Sequence, residues 1–179
     1  MAGFGDSEFN DTVIIREIYD GENSQEKFEN ELERALETCC PTIVIEPSKL
    51  GDDTSRWIAI GNCLHKTAVL SGFGSLVTGL IWPDRPYIYC PMGAVSLFCT
   101  GLYSVSWQFD PCCKYQVLRD AQKLERFQQR LNSLTSSSPV VLLRHDDRRR
   151  KLLHSIVTVL SIAYCTWRLT QLYPYLKYI

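Results

Sequence analysis

PYIYCPMGAVSLFCTGLYSVSWQF, Pro86 to Phe109, is a run of 24 residues without Asp, Glu, Lys, Arg or His. A helix rising about 1.5 Å per residue crosses the roughly 30 Å hydrocarbon core in about 20 residues. The run is therefore long enough to span a membrane, and its far end reads as a boundary. Trp107 and Phe109 stand where amphipathic rings favour the interface. Asp110 ends the apolar stretch, Pro111 disfavours helical geometry at the residue before it, and Lys114 falls among the headgroups. Upstream, Thr67 to Pro83 is a second uncharged run, 17 residues bounded by Lys66 and Asp84. At about 25 Å it is slightly short, with His65, Lys66 and Trp82 as interface anchors. Asp84-Arg85-Pro86 is too short a turn for anything but antiparallel neighbours. The expectation is an α-helical membrane protein built on an antiparallel transmembrane helix hairpin, 67–83 and 86–109.

Small side chains recur along both runs. Ser71, Ser75 and Gly79 repeat every four residues, and Ser96, Thr100 and Ser104 do the same in the second run, flanked by Gly93 and Gly101. Such stripes let helix backbones approach closely in lipid, where no hydrophobic effect drives helices together. Helix packing is the preferred reading, with lateral assembly into a homo-oligomer as its consequence; the plainer one is that glycine and serine are common in membrane helices. Neither run has an ionisable residue at its middle, which leaves ion or proton transport without a relay.

The charges are segregated. Residues 1–66 hold 14 acids and 6 bases, 67–109 hold only Asp84 and Arg85, and 110–179 hold 5 acids and 12 bases, for a net of −1. A globule usually mixes its charges. The basic tail carries no stacking motif or Gly-rich basic repeat, so membrane lipids with anionic headgroups are the expected partners and nucleic acid is not. Lys66 precedes the hairpin and Lys114, Arg119 and Lys123 follow it, against one Arg in the turn, which places both ends in one compartment.

Outside the hairpin, residues 1–11 are expected to be a disordered N-terminus and 12–66 a small acidic α/β head. Thr12–Tyr19 is β-branched and aromatic, Asp20-Gly21 turns the chain, and Asn23 with Glu26 is close to a capping box. Phe28, Leu32, Ala35, Leu36 and Cys39 recur at helical spacing. Pro41 ends that helix and Thr42–Glu46 is a second strand. Asp53-Thr54 is expected to cap a following helix that carries Trp57, Ile58 and Ile60 toward the bilayer. Residues 110–179 form a basic tail, with a surface helix over 114–131, a linker near 133–139 and a strand-like Val140–Leu143. The tail's apolar segment, 152–167, has 16 residues without Asp, Glu, Lys or Arg but includes His154. That is short for a span and suits a surface or buried helix equally; we expect a C-terminal membrane-associated helix rather than a third span.

Chemistry is sparse. Eight cysteines (39, 40, 63, 90, 99, 112, 113 and 165) show no zinc-knuckle spacing. Cys112 and Cys113, beside a membrane exit, are possible lipidation sites, though plain structural cysteine is the preferred reading. The histidines 65, 145 and 154 make no spaced metal pair, Gly72-Phe-Gly74 lacks the context of a nucleotide loop, and Gly51-Asp-Asp53 lacks the ligands of a calcium loop. No catalytic, metal or cofactor-binding residues are expected. The acid-rich start is unlike a mitochondrial presequence, and no removable targeting peptide is expected there.

Longer blocks then resemble a known family. E-I-Y-D-G-E-N (17–23), I-V-I-E-P (43–47), R-W-I-A-I-G-N-C-L-H-K-T-A-V-L (56–70), S-W-Q-F-D-P-C-C-K-Y-Q-V (106–117) and S-S-P-V-V-L (137–142) look like the transmembrane protein 11 family. The resemblance extends from Thr12 to the tail. It implies a multi-pass protein of the mitochondrial inner membrane that shapes mitochondria and cristae and associates with the mitochondrial contact site and cristae organising complex. It brings no catalytic motif and no cofactor. Two other functions compete: a receptor or adaptor of the mitochondrial outer membrane presenting its head to soluble partners, and a thiol-redox enzyme built on Cys39-Cys40 and Cys112-Cys113.

Overall fold

The computed structural model describes residues 12–17, 23–120, 124 and 139–176, with side chains as far as 172. The expected disordered 1–11, the turn at Asp20-Gly21, Lys123 and the 133–138 part of the linker lie outside the described residues. The chain forms two compact units. One joins Met1–Ala59 to Pro111–Asp146 and the other joins Ile60–Asp110 to Asp147–Ile179. This differs from the expected division at 66 and 110, because part of the basic tail folds back into the head.

In the first unit, strand β1 (Thr12–Ile15) leads to helix α1 (Ser24–Glu37) and strand β2 (Thr42–Ile45), and after the second unit's hairpin come β3 (Tyr115–Val117) and β4 (Val140–Arg144). The sheet order is β1-β2-β4-β3. β1 runs parallel to β2, as a strand–helix–strand crossover requires, and β4 lies antiparallel to both β2 and β3. β2 is central and buried along its whole length. Ile43 and Ile45 join Phe28, Leu32, Ala35 and Leu36 of α1 in one core, while Val44 and Val141 form a smaller cluster with Ile14, Leu118, Leu124 and Leu143. The split follows from the period-2 alternation of a strand. Two expectations are corrected here. Tyr115–Val117 is a strand rather than the start of a surface helix, because Tyr115 pairs with Arg144 and Val117 with Leu142. Ile58 is buried in the head's core rather than directed at a bilayer.

Helix α2 (Ser48–Ile81) runs unbroken for 34 residues from the head into the second unit. Asp53-Thr54 is therefore not a cap: Thr54 lies inside the helix and its Oγ1 donates to the Leu50 carbonyl at 2.8 Å. A turn, Trp82–Arg85, connects α2 to α3 (Pro86–Ser106), which starts with proline at its first turn, where the missing N–H costs nothing. Helix α4 (Arg148–Leu176) spans 29 residues, well beyond the expected 152–167. Two of the described helices are long and apolar enough to cross a membrane, Pro86–Ser106 at a mean hydropathy of 1.4 and Arg148–Leu172 at 1.3. The Thr67–Pro83 run is not one of them, because α2 ends at Ile81 and a span-length stretch back from there takes in His65 and Lys66, whereas the segment read as membrane-associated is one.

Candidate functional site

The second unit packs α2, α3 and α4 around a seam of small and polar side chains, and this seam is the candidate functional element. On α2 the inward positions include Gly61, His65, Ala68, Gly72, Ser75 and Gly79, spaced alternately by four and three residues. Such 3.5-residue spacing keeps one narrow face toward its neighbours. On α4, His154, Thr158, Ser161 and Cys165 are buried at the same spacing. On α3, the buried set is Tyr89, Gly93, Ser96, Cys99 and Tyr103.

The layers can be followed from one end to the other. At the first end, a Cβ on Gly61 would meet the Trp107 ring at 2.8 Å, Arg150 donates to Asn62 and Lys151 donates to the Gln108 carbonyl at 3.1 Å. One turn deeper, His65 Nδ1 and His154 Nδ1 are 3.1 Å apart, and the Tyr103 ring packs edgewise on His154. In the middle, Ser96 Oγ donates to the Ala68 carbonyl at 2.8 Å. Thr158 Oγ1 lies 2.8 Å from both Ser96 Oγ and Thr100 Oγ1. Next, Ser75 Oγ donates to the Tyr89 carbonyl at 2.8 Å. A Cβ on Gly93 would there meet Cys165 and Ser161 at 3.1 Å and Ser75 at 3.2 Å. At the far end, Tyr164 donates to the Gly79 carbonyl at 2.6 Å, and Arg168 approaches Asp84 at 3.7 Å. Helix α3 thus runs antiparallel to both α2 and α4.

The residues expected to pack helices divide accordingly. Ser75, Gly79, Gly93, Ser96 and Thr100 meet in the seam. Ser71 does not: its Oγ turns back to the Thr67 carbonyl of its own helix at 2.6 Å. Gly101 has open space where a Cβ would stand, and Ser104 is half-buried. Gly72 belongs in the seam and was missed; a Cβ there would meet Ser96 Oγ and Val157 Cγ1 at 2.7 Å. All of α4's contribution was missed as well, although the spacing of His154, Thr158, Ser161 and Cys165 carries the signal.

Of the expected boundary residues, Lys66, Trp82 and Lys114 are exposed and Asp110 is half-buried. Trp107 is 8 % exposed, so its ring fills the space beside Gly61 rather than facing outward. Cys113 is buried and Cys112 packs against the head's core. Their thiols are thus poorly placed for lipidation, because an acyl acceptor must be presented outward. All eight cysteines are free thiols. Tyr115, close enough to Cys39, Cys40 and Cys112 to feel their charge, donates to the Cys40 carbonyl at 2.7 Å. Burial, with those thiols adding to it, pushes its phenol up to about 12. No group of three or more His, Cys, Asp or Glu that could hold a metal occurs among the described residues.

Burial in this unit is inverted relative to a water-soluble bundle. Ser75, Ser96 and Ser161 are fully enclosed, while Leu70, Leu80, Val105, Phe98 and Val159 are 66–80 % exposed. Water would drive those aliphatic groups inward at about 25 cal/mol per Å². Lipid tails remove that drive and favour small residues and hydrogen bonds between helices. The construction is that of an α-helical membrane protein with a small α/β head. Residues 11–170 match the family described as Mitochondrial morphogenesis regulator, and the chain belongs to it. It is 56% identical over 162 residues to "Transmembrane protein 11, mitochondrial" of Danio rerio, covering 89% of this chain and 86% of that one. To the protein of the same name from Homo sapiens it is 54% identical over 165 residues, 91% and 85% of the two chains. "Transmembrane protein 11-A, mitochondrial" of Xenopus laevis is 56% identical over 162 residues, with 89% and 86% covered. No solved structure matches.

Proposed function

We propose that this chain is a non-catalytic, multi-pass protein of the mitochondrial inner membrane that shapes mitochondria and cristae together with the mitochondrial contact site and cristae organising complex. In this reading α2, α3 and α4 each cross the bilayer. The observation that carries it is the inverted bundle, in which Ser75, Ser96, Thr100, Thr158 and Tyr164 hydrogen-bond within the seam while the outer face is apolar. Charge spacing supports three crossings. From Lys66 on α2 to Asp84 in the following turn 17 residues intervene, and on α4 16 residues separate Lys151 from Arg168, so both charge pairs bracket a slab of about 25 Å. No group of three or more His, Cys, Asp or Glu that could hold a metal occurs among the described residues, and the family description names morphogenesis rather than a reaction. The seam is filled by the chain's own helices, so self-association into a homo-oligomer uses the outer faces.

The test is rescue of mitochondrial shape in cells lacking the protein. Gly72→Leu with Gly79→Leu should fail to rescue, whereas Cys39→Ser with Cys40→Ser should rescue fully. The reverse result would favour thiol chemistry over bundle architecture. Protease access to a tag at Met1 in intact organelles, and again after outer-membrane rupture, separates inner from outer membrane: cleavage without rupture supports the adaptor reading.

A further inference from the structure

We infer that Cys90 of α3 and Cys165 of α4 form an oxidation site, at which a hydroperoxide converts the two thiols into a disulfide that fastens α4 to the hairpin. The inference needs the packed bundle and goes beyond the membrane reading, since it holds whatever surrounds the helices. Both residues are free thiols, Cys165 buried and Cys90 half-buried. The Cys90 side chain hydrogen-bonds to the Cys165 sulfur across the two helices. Other neighbours fix Cys165 in place. Its Sγ lies 3.5 Å from Ser75 Oγ and 4.0 Å from the Tyr89 carbonyl, and 3.1 Å from where a Cβ on Gly93 would stand. Gly93 therefore admits the sulfur to the backbone of α3, along the turn that also carries Cys90. A disulfide needs its two Cα atoms about 4.4–6.8 Å apart, and a crossing at glycine is where helix backbones come that near.

Cys90 is the more accessible thiol and lies in the second turn of α3, so a small uncharged hydroperoxide reaches it before Cys165. Pro91 follows it inside the helix. Lacking an N–H, Pro91 cannot bond the Tyr87 carbonyl, so the turn carrying Cys90 is held by one bond fewer and can adjust to disulfide geometry. In the first step Cys90 Sγ attacks one peroxide oxygen and the O–O bond breaks. The thiol proton goes to the departing oxygen, leaving a sulfenic acid and an alcohol, or water where the oxidant is hydrogen peroxide. Cys165 Sγ then attacks the Cys90 sulfur, the S–O bond breaks, and the Cys165 proton leaves with the hydroxyl as water. The thiol pair loses two electrons and the hydroperoxide gains them. Apolar surroundings slow the first step, because the thiolate is the stronger nucleophile and burial disfavours it. Sustained peroxide is accordingly the stimulus. The bond closes a loop from residue 90 to residue 165, and a cross-link over so long a loop stabilises by restricting the unfolded chain.

The experiment treats the reduced full chain in detergent with hydrogen peroxide, blocks remaining thiols with N-ethylmaleimide, and maps cross-linked peptides by mass spectrometry without reduction. The expected product joins Cys90 to Cys165 within one chain, and does not form when the protein is unfolded in SDS before oxidation. Oxidation should also raise the melting temperature of the parent by about 5–10 °C. Cys90→Ala, at a half-buried position, should lose both the cross-link and the rise, whereas Cys63→Ser leaves both sulfurs in place and should lose neither. The peptide map of the parent does not depend on any variant folding. Cross-links spread evenly over the cysteines, or Cys90 driven to sulfinic acid with Cys165 still a thiol, would overturn the pairing. An equal rise in Cys90→Ala, or a cross-link without any rise in the parent, would overturn the fastening of α4.

Discussion

Cys39 ends a helix in a strained backbone conformation. It sits at φ 57°, the left-handed region that costs a residue with a Cβ about 1–2 kcal/mol. The geometry ends α1: Cys39 N–H bonds the Leu36 carbonyl and Cys40 N–H the Ala35 carbonyl, the paired closure that usually places glycine at this position. Cys39→Gly should therefore stabilise the head by about 0.5–1 kcal/mol after the entropy glycine loses on folding, read as a higher urea midpoint in pulse proteolysis. A lower midpoint would mean that the thiol contributes contacts worth more than the strain. Tyr115 makes a different prediction. Its phenol is held neutral to about 12 in the folded head against an ordinary value of 10, so the unfolded chain loses that proton first as pH rises. Stability should be flat below pH 10 on this account and fall between pH 10 and about 12. Tyr115→Phe should lower stability at pH 8 by about 1 kcal/mol, from the lost bond to the Cys40 carbonyl, and should flatten the fall above pH 10. An unchanged slope would assign the alkaline loss to other groups. Neither effect was legible in the sequence. The vicinal cysteines read as plain structural residues, with thiol-redox chemistry a competing reading, and only the helix-ending conformation and the sheet's register reveal what surrounds them.

At the scale of elements, legibility followed hydropathy and failed where pairing was distant. α1 and β2 were readable because their apolar residues keep periods of 3.6 and 2, and α3 because 24 residues pass without a charge. Strand β3 was not, since three residues have no period of their own and take strand geometry only through β4. α4 reads as short from the sequence because its stretch without Asp, Glu, Lys or Arg runs only from Leu152 to Trp167, whereas the helix continues through its flanking arginines. Its inward residues also lower its hydropathy, which is the same property that lets it pack. The small-residue stripes are legible on both hairpin helices, but residue types alone suggest a period of four and lateral assembly with another copy. The observed alternation of four and three moves Gly72 into the seam and leaves Ser71 and Gly101 out. This gives a paired prediction. Gly79→Leu drives a side chain into the Tyr164 ring and Gly72→Leu into Ser96 and Val157; each should cost about 1–3 kcal/mol by overpacking and lower the melting temperature of the detergent-solubilised protein. Gly101→Leu meets nothing within 4 Å and should leave that temperature unchanged. Equal effects at all three glycines would mean that the seam is not what holds α2, α3 and α4 together.

For the whole molecule, the sheet constrains the topology more firmly than the charges do. β2 precedes α2 and β4 follows α3, yet Thr42–Ile45 pairs with Val140–Leu143 in one ladder. Both strands therefore share one compartment, and if α2 crosses a membrane, α3 must bring the chain back. That agrees with the bases at Lys66 and Lys114, but it is an independent argument, since a ladder cannot form through a bilayer. α4 then decides where the chain finishes. It starts at the end of the bundle shared by Gly61 and Trp107 and reaches the end shared by Gly79 and Asp84. If the bundle is embedded, Leu176 lies across the membrane from the sheet, whereas a helix resting on the surface would leave both on one side. Tags at Met1 and Ile179 should accordingly show opposite protease protection in sealed organelles, and a tag inserted after Asp120 should match Met1. Arg168 makes the same point chemically. With Trp167, whose ring lies 5.8 Å from the guanidinium, it would anchor the far interface, so Arg168→Leu should let α4 slide by lengthening its uncharged run. That shift is measurable as altered labelling of a single cysteine placed at Gln171 by an impermeant maleimide. Matching protection of the Met1 and Ile179 tags, with Gln171 labelled from the same side as Met1, would refute the third crossing and return α4 to the membrane surface.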